Sequence, residues 1–251
     1  GADVLATLGK SALESADFEG AATRYEELYK KFPKDGTAIE ALKVAAETRE
    51  QLGDYTRALD DLGKLVADPG YKRRNEVQFR MAELKFKSAD TAGAMAGAEA
   101  ALAIDPGNAK AAALLGRCLL SQGKLADAQT RLNGLTKPIL KMARGAGPEA
   151  DAAAEVFFLL GEALYKDFAT LTAKDLEKKA NTIGVLEQAY TAAARLGSGQ
   201  WAVGGLYRLG LAYQSLGKDV LQTPVPAGAD PAQVKQILEQ QSQALGGKAE
   251  E

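Results

Sequence analysis

The sequence predicts an all-α protein built of about six helix–turn–helix repeats. A Leu-Gly pair recurs inside Ala- and Leu-rich runs, at Leu8-Gly9, Leu115-Gly116, Leu160-Gly161 and Leu209-Gly210. Met81-Ala82 takes the same place in "FRMAELKF" and lies 34 residues before Leu115, a period typical of helical repeats. Because glycine inside a helix costs about 1 kcal/mol relative to alanine, its recurrence in phase indicates places where two helices approach closely. No segment has a strand pattern.

Composition excludes several classes of partner. The 251 residues are 46% hydrophobic and 25% charged, with a formal net charge of −2 and with acids and bases interspersed. A nucleic-acid partner would need a basic face, and a polybasic membrane patch is also missing. The longest apolar runs are far shorter than the ~20 residues that span a bilayer. We therefore expect no nucleic-acid partner and no direct membrane insertion.

The residue inventory also argues against catalysis. The sequence has no histidine and one cysteine, Cys118, so Ser-His and Cys-His nucleophiles, Cys/His metal sites and an internal disulfide cannot be built. Cys118 is expected to be an inert thiol on a buried helix, and the acid pairs Glu26-Glu27 and Asp60-Asp61 to lie on solvated faces. We expect no enzymatic activity, no cofactor and no metal; an enzymatic role would need a further domain. Because the sequence begins Gly-Ala rather than with Met, a trimmed or mature fragment is expected.

Each repeat needs a small residue where its two helices cross. The expected crossing residues are Gly9, Ala46, Ala82, Gly116, Gly161 and Gly210, which face Ala21, Ala58, Ala94 and Ala128 in the second helices. Large side chains are expected to fill the core between the helices, namely Leu8, Tyr25, Leu115, Leu132, Leu160, Tyr190 and Leu209. Gly53, Gly123 and Gly217 are predicted to end first helices in a left-handed conformation.

With these residues in phase, the sequence resembles the tetratricopeptide-repeat family. The most specific marks are "LGLAYQSLG" at Leu209–Gly217, "GDYTRAL" at Gly53–Leu59 and "AIDPGN". The resemblance implies a right-handed superhelix and a single domain over residues 1–251, with an atypical capping helix at the C-terminal end. The units fall at about 2–35, 39–72, 75–108, 109–142, 154–200 and 203–245.

Three segments depart from the period. Pro138 and the Gly145-Gly147-Pro148 cluster predict a loop after the fourth repeat, with Pro148 in the first turn of the next helix. Thr172 with Asp175 predicts the N-cap of one long helix, Thr172 to Leu196, whose first turns either project beyond the stack or pack on the junction loop. "DVLQTPVPAGAD" predicts a non-helical connector before a last helix from Pro231 to about Leu245 and a frayed tail.

The family resemblance also implies a binding groove. In such proteins the first helices of successive repeats line a concave surface that takes a peptide or a partner helix. The matching positions here are Lys10, Lys43, Glu47, Phe79, Glu83, Phe86, Arg117, Leu120, Phe158, Glu162, Tyr165, Tyr207 and Leu211. Acids and aromatics replace the lysines and asparagines of chaperone-tail binders, so an amphipathic or extended apolar segment is the expected ligand. The alternative is that Phe79, Phe158 and Tyr207 pack against neighbouring repeats.

The expected function is that of a non-enzymatic scaffold or adaptor in a multiprotein assembly. The alternative is a self-associating structural subunit that uses the last helix or the helix at 172–196. "LQTPVPAGADPAQVKQILEQQSQAL" at Leu221–Leu245 is similar to tetratricopeptide-repeat proteins of myxobacteria, several of which belong to envelope machines such as gliding-motility complexes. That similarity implies the bacterial cell envelope, periplasmic or outer-membrane associated, with the cytoplasm as alternative. Partner, pathway and oligomeric state stay open.

Overall fold

A computed structural model describes residues 1–143 and 147–250, which form twelve α-helices and no strand. Two compact units, Gly1–Ile104 and Asp105–Glu251, are described each by itself. The first holds α1 Ala2–Glu14, α2 Phe18–Lys31, α3 Ala38–Gln51, α4 Tyr55–Ala67, α5 Arg74–Lys87 and α6 Thr91–Ile104. The second holds α7 Ala109–Ser121, α8 Leu125–Met142, α9 Pro148–Phe168, α10 Leu176–Arg195, α11 Gly199–Val220 and α12 Pro231–Glu250.

Consecutive helices pair in both units. The first unit contains the hairpins α1–α2, α3–α4 and α5–α6, and the second contains α7–α8, α9–α10 and α11–α12. In the second unit α9 also packs against α7, α8 and α11, so it is the central helix of that unit. The predicted all-α fold of helical hairpins is confirmed.

The turns of the first four hairpins use a left-handed residue, and in the three hairpins of the first unit an aspartate follows it. Gly53 (φ +76°) and Gly123 (φ +69°) take this conformation, as predicted, after α3 and α7. Ala16 and Ala89 take it after α1 and α5 without the help of glycine. The prediction for Gly217 is wrong, because that residue lies inside α11, where α12 packs closely on it.

Each of these aspartates caps the helix that follows it. Asp17, Asp54 and Asp90 accept hydrogen bonds from backbone N–H groups three residues on, at 3.0, 3.2 and 2.9 Å. The side-chain oxygen thereby satisfies one of the donors that the first turn of a helix leaves unpaired, which is worth about 1 kcal/mol. The dipeptides Ala-Asp and Gly-Asp therefore fix where α2, α4 and α6 begin.

As predicted, glycines lie where one helix closely approaches another. A Cβ on Gly9 would come 2.5 Å from Cε1 of Tyr25, and one on Gly161 would overlap the ring of Tyr190. Gly116 contacts leucine side chains of α8 and α9. The prediction that Leu8 fills the core is wrong, because this side chain lies on the outer face of α1 and is half exposed.

The hydrophobic cores alternate these small residues with larger ones. In the first unit Leu42, Leu62, Leu65 and Leu84 pack together with Ala46 and Ala58. In the second unit one cluster contains Phe168, Ile183, Leu186, Tyr190, Ala212, Tyr213 and Leu216. Each fully buried leucine or phenylalanine contributes roughly 1.5–3 kcal/mol, so these clusters hold the hairpins together.

The prediction of a loop at Pro138 is wrong, because this segment is helical. Pro138 lies inside α8, which continues to Met142. Tertiary contacts hold these last turns, because Ile139 is fully buried and the Met142 side chain lies against Gly107. Pro148 begins α9 as predicted, whereas Gly145 lies outside the described residues.

The long helix begins at the predicted cap but does not project freely. Thr172 and Asp175 form a capping box, followed by a 3₁₀ turn, Ala173–Asp175, and then by α10. Lys179, in the first turns of α10, is 3% exposed, and its Nζ donates hydrogen bonds to Ser215 Oγ at 2.9 Å and to Asp219 on α11. The prediction that the first turns of the helix at 172–196 project beyond the stack is therefore wrong, because these turns pack on α11.

The C-terminal connector is non-helical as predicted. It spans residues 221–230, between α11 and α12. α12 then runs from Pro231 to Glu250, so the segment expected to be a frayed tail is helical. α12 packs along α11 through one face and has no buried residue.

Candidate functional site

In the first unit, the predicted groove residues lie half-buried on α3 and α5. Lys43 and Glu47 belong to α3, and Phe79, Glu83 and Phe86 to α5. The Lys43 Nζ donates a hydrogen bond to Glu40 at 2.9 Å, and this bond raises the lysine pKa. The ammonium group is therefore already paired on its own helix.

In the second unit, the predicted groove charges join the first helices of neighbouring hairpins. Arg117 on α7 pairs with Glu155 on α9, with Nε and Oε1 3.4 Å apart. Glu162, also on α9, accepts a hydrogen bond from Arg208 Nε on α11 at 2.8 Å. Two ion pairs thus tie the central helix α9 to the helices on either side.

Glu162 is a buried carboxylate with a second donor. The hydroxyl of Tyr190 donates a hydrogen bond to Glu162 at 3.1 Å. Burial, together with the negative charge of Glu162, raises the pKa of Tyr190 well above its usual value. Arg208 and Tyr190 therefore satisfy this carboxylate inside the protein, which is how buried charges are tolerated.

The apolar and aromatic residues among the predicted groove positions of the second unit pack to different extents. The Phe158 ring lies 5.1 Å from the Trp201 ring and 6.0 Å from the Tyr190 ring, so its contacts are those of interhelical packing. Tyr165 contacts Phe168 and the Arg208 guanidinium. Leu211 is half-buried on α11.

Tyr207 differs from the others because it is 65% exposed. Val203 and Leu206, on the same side of α11, are 70% and 52% exposed, since residues three and four apart share one face of a helix. We call these three side chains the α11 face. The sequence "LGSGQWAVGGLY" that leads up to and includes them carries no charge.

Sequence reasoning found only Tyr207 of the α11 face. The signal for Val203 and Leu206 was available, because apolar residues at i, i+3 and i+4 mark one helix face. The spacing alone does not say whether that face is covered.

Buried charges elsewhere are structural. Arg49 is fully buried, and its guanidinium is held by Glu26 at 2.6 Å, by Glu19 at 2.6 Å and by Thr23 at 3.1 Å. Asp61, expected on a solvated face, is 1% exposed. Burial raises its pKa to about 6, although the ammonium of Lys64, 2.9 Å away, opposes the shift.

Other chemistry-bearing features of the described residues are few. A shallow cleft of ≈ 460 Å³ lies among α8, α9 and α10, and six of its eight lining residues are polar or charged, with Leu164 and Val185 as the apolar members. Within residues 1–143 and 147–250 no group of three side chains could hold a metal ion. No helix in those ranges combines the length and apolar composition needed to cross a bilayer.

Comparison with known proteins identifies the repeat. A family model described as "Tetratricopeptide repeat" matches residues 85–146. The predicted resemblance to tetratricopeptide-repeat proteins is confirmed. No curated protein matches the chain, and the comparisons add no support to the narrower similarity to myxobacterial envelope proteins.

The solved structures that match this chain include two MamA structures and a tetratricopeptide-repeat protein. A MamA RS-1 double mutant is 19% identical with a TM-score of 0.51, over 79% of this chain and 96% of that one. A MamA protein is 15% identical with a TM-score of 0.48, over 82% and 91% of the two chains. A tetratricopeptide-repeat protein from Parabacteroides merdae is 12% identical with a TM-score of 0.48, over 96% and 98%. At 19% identity and a TM-score of 0.51, the likeness to the MamA double mutant concerns the fold alone.

Tetratricopeptide repeats are typically non-catalytic protein-interaction modules. On this chain, the α11 face is apolar, uncharged and open to solvent.

Proposed function

We propose that this tetratricopeptide-repeat chain is a non-enzymatic scaffold that binds a peptide or a helix of a partner protein. The observation that carries the proposal is the exposure of Val203, Leu206 and Tyr207 on one face of α11. Singly exposed apolar residues are ordinary, whereas adjacent ones mark a contact surface. Tyrosine is also enriched among residues that dominate binding energy.

The size of the α11 face sets the expected strength of binding. Its three side chains present on the order of 300 Å² of surface, comparable to the largest patch on a typical monomer. With a partner burying a similar area, the total stays below the ~1,200 Å² of stable complexes. The proposed interaction is therefore transient, with a dissociation constant in the micromolar range or weaker.

The predicted groove residues fall into two groups, those engaged in contacts between helices and those that would contact the ligand. Arg117, Phe158, Glu162 and Tyr165 are engaged between helices of the second unit, and we propose that they position α11 rather than contact the ligand first. Leu211 and Tyr207 would contact it directly. Lys43, Glu47, Phe79, Glu83 and Phe86 remain proposed contacts within the first unit.

The cellular location and the assembly to which the chain belongs are also proposals. A place in a bacterial cell-envelope assembly, periplasmic or outer-membrane associated and including motility machinery, follows from the sequence similarity of Leu221–Leu245 and stays a prediction. The same holds for the absence of a nucleic-acid partner and of direct membrane insertion. Self-association is the second candidate, favoured by the exposed Ile237 on α12.

Selection of displayed random peptides on the whole chain tests the proposal. Fluorescence anisotropy then measures the affinity of the selected peptides for the wild type and for Tyr207→Ala. We expect Tyr207→Ala to weaken binding about tenfold, and Phe18→Ala, which removes a half-exposed aromatic of α2, to leave it unchanged. Failure to select any specific peptide would contradict the proposed function.

A further inference from the structure

We infer that the cleft among α8, α9 and α10 is a second binding site of this chain, which takes the guanidinium group of an arginine side chain carried by a partner protein. The inference goes beyond the proposed function, because no residue that lines the cleft lies on α11. Three observations carry it: the added helical turns that build the cleft, the hydrogen-bonding groups of its lining, and the charge of that lining.

Two added turns at the start of α10 build one wall of the cleft. Tyr25 and Tyr190 hold the same place in their hairpins, since each covers a glycine of the facing helix. Tyr25 is the eighth residue of α2, whereas Tyr190 is the fifteenth of α10, so α10 begins about two turns earlier. Four residues of the lining belong to these added turns, namely Glu177, Lys178, Asn181 and Thr182. The cleft is therefore tied to the longer helix of this hairpin.

The packing of Lys179 fixes the orientation of this wall. Its side chain is 3% exposed, and its Nζ donates hydrogen bonds to Ser215 and Asp219 on α11. The lining residues from Glu177 to Val185 recur at spacings of three and four, so they share a different side of α10. With one side of the helix held on α11, the other side stays turned toward α8 and α9.

Hydrogen-bond acceptors predominate in the lining. Asp167 on α9 and Glu177 contribute carboxylates, which only accept when ionised. Thr182 donates its hydroxyl proton to a backbone oxygen of α10 at 2.7 Å, so its Oγ1 has only lone pairs left to offer. Gln129 on α8 donates through Nε2 to the backbone oxygen of Ala163 at 3.2 Å, which leaves its amide oxygen as an acceptor. A complementary ligand is therefore rich in donors.

The charge of the lining favours a cation. Two carboxylates stand against one ammonium, that of Lys178, and in the described part of the chain neither carboxylate has a salt-bridge or hydrogen-bond partner. A guanidinium combines one positive charge with five N–H donors and no acceptor, so it would neutralise the lining and reach acceptors on more than one helix. Leu164 and Val185 offer apolar surface to the methylene groups of an arginine side chain.

The open shape of the cleft favours a side chain of a partner protein over a free small molecule. Pockets for small molecules enclose roughly 70–90% of the ligand surface, whereas Asp167, Glu177 and Val185 are all exposed to solvent. A side chain needs no such enclosure, because the rest of the partner protein contacts the surface around the cleft. A short probe that carries the arginine alone should therefore bind weakly, with a dissociation constant on the order of 1 mM.

The test is a nuclear magnetic resonance titration of the full, isotope-labelled chain with the probe acetyl-Leu-Arg-amide. The matched probe is acetyl-Leu-citrulline-amide, because citrulline has nearly the shape of arginine without its positive charge. We expect the arginine probe to shift the backbone amide signals of residues 164–185, and the citrulline probe to bind at least about tenfold more weakly. A citrulline probe that binds equally well would overturn the inference, and this comparison needs no variant of the protein.

Variants then test the two carboxylates. Asp167→Asn and Glu177→Gln should each weaken binding of the arginine probe about threefold to fivefold, because each removes one exposed charge at constant shape. Asp3→Asn, which removes an exposed carboxylate of α1, changes the net charge equally and should have no effect. Circular dichroism checks that each variant is folded.

Two results of the titration would refute the arginine site. Equal weakening by all three variants would show that the probe follows net charge alone. Unchanged signals of residues 164–185 at about ten times the expected dissociation constant would show that the cleft takes no guanidinium. Either result leaves the α11 face, and with it the proposed function, standing.

Discussion

The ring of Tyr190 on α10 covers Gly161 on α9 so closely that a methyl group on Gly161 would overlap it. Gly205 on α11 contacts the same tyrosine near its Cβ, Cγ and Cδ1 atoms, and the tyrosine hydroxyl reaches Glu162. One side chain therefore fixes the distances among three helices of the second unit. The glycines that the sequence places in mid-helix are needed for this packing.

Replacing Gly161 by alanine is expected to destabilise the protein. The overlap with Tyr190 forces a shift that costs roughly 1–3 kcal/mol, which exceeds the gain of up to about 1 kcal/mol in helix propensity. The midpoint of chemical denaturation, followed by circular dichroism, should fall. Gly184→Ala is the control, because this glycine of α10 has open space around it and its replacement should raise the midpoint.

Asp61→Asn is expected to stabilise the protein above about pH 6. Because the folded-state pKa of Asp61 is raised to about 6, the protonated carboxyl favours folding, and that stability is lost as the pH rises through this value. The thermal midpoint of the wild type should therefore decline more than that of the variant between about pH 4 and pH 7, and the two should run parallel at higher pH.

Asp60→Asn provides the comparison for Asp61. Asp60 pairs with the same Lys64 but is mostly exposed, and exposed pairs contribute at most about 1 kcal/mol. An Asp60 variant that changed the pH profile as much as the Asp61 variant would show that burial is not the cause.

Lys179→Ala is expected to cost about 3–5 kcal/mol, because it leaves the carboxylate of Asp219 largely buried without its partner. Denaturant unfolding of the variant measures the loss. Lys178→Ala, which removes an exposed lysine one residue earlier, should have little effect. Equal losses in both variants would contradict the assignment of the start of α10 to the packed interior.

Cys118 is expected to stay unreactive in the folded protein. The thiol is fully buried, and burial raises its pKa, so little thiolate is available. A disulfide reagent such as dithionitrobenzoate should react at pH 8 only after denaturation. Ser121→Cys, which places a thiol at an exposed position of the same helix, should react at once; rapid native labelling of Cys118 itself would refute the prediction.

Short-range signals predicted the hairpins well. The left-handed Gly53 and Gly123, the capping box of Thr172 and Asp175, and the start of α9 at Pro148 all depend on residues within one or two turns of each other. Such features are fixed by backbone conformation and local hydrogen bonds, so the sequence displays them directly.

The features that sequence reasoning missed depend on distant contacts. Pro138 stays helical because Ile139 and Met142 are held by packing, and Gly217 stays helical because α12 lies against it. Asp61 is buried although its neighbour is exposed, which periodicity alone does not reveal. Likewise, the pairing of Glu162 with Arg208 joins residues on two different hairpins.

The attachment of α12 has a consequence for dynamics. A helix with no buried residue, joined through the ten-residue connector at 221–230, can open locally at a free energy below that of global unfolding. Its amides should exchange hydrogen faster than those of α11. Opening would expose Gly210 and Gly217 to solvent, so any ligand that binds this uncovered side of α11 would shift the population toward the open form.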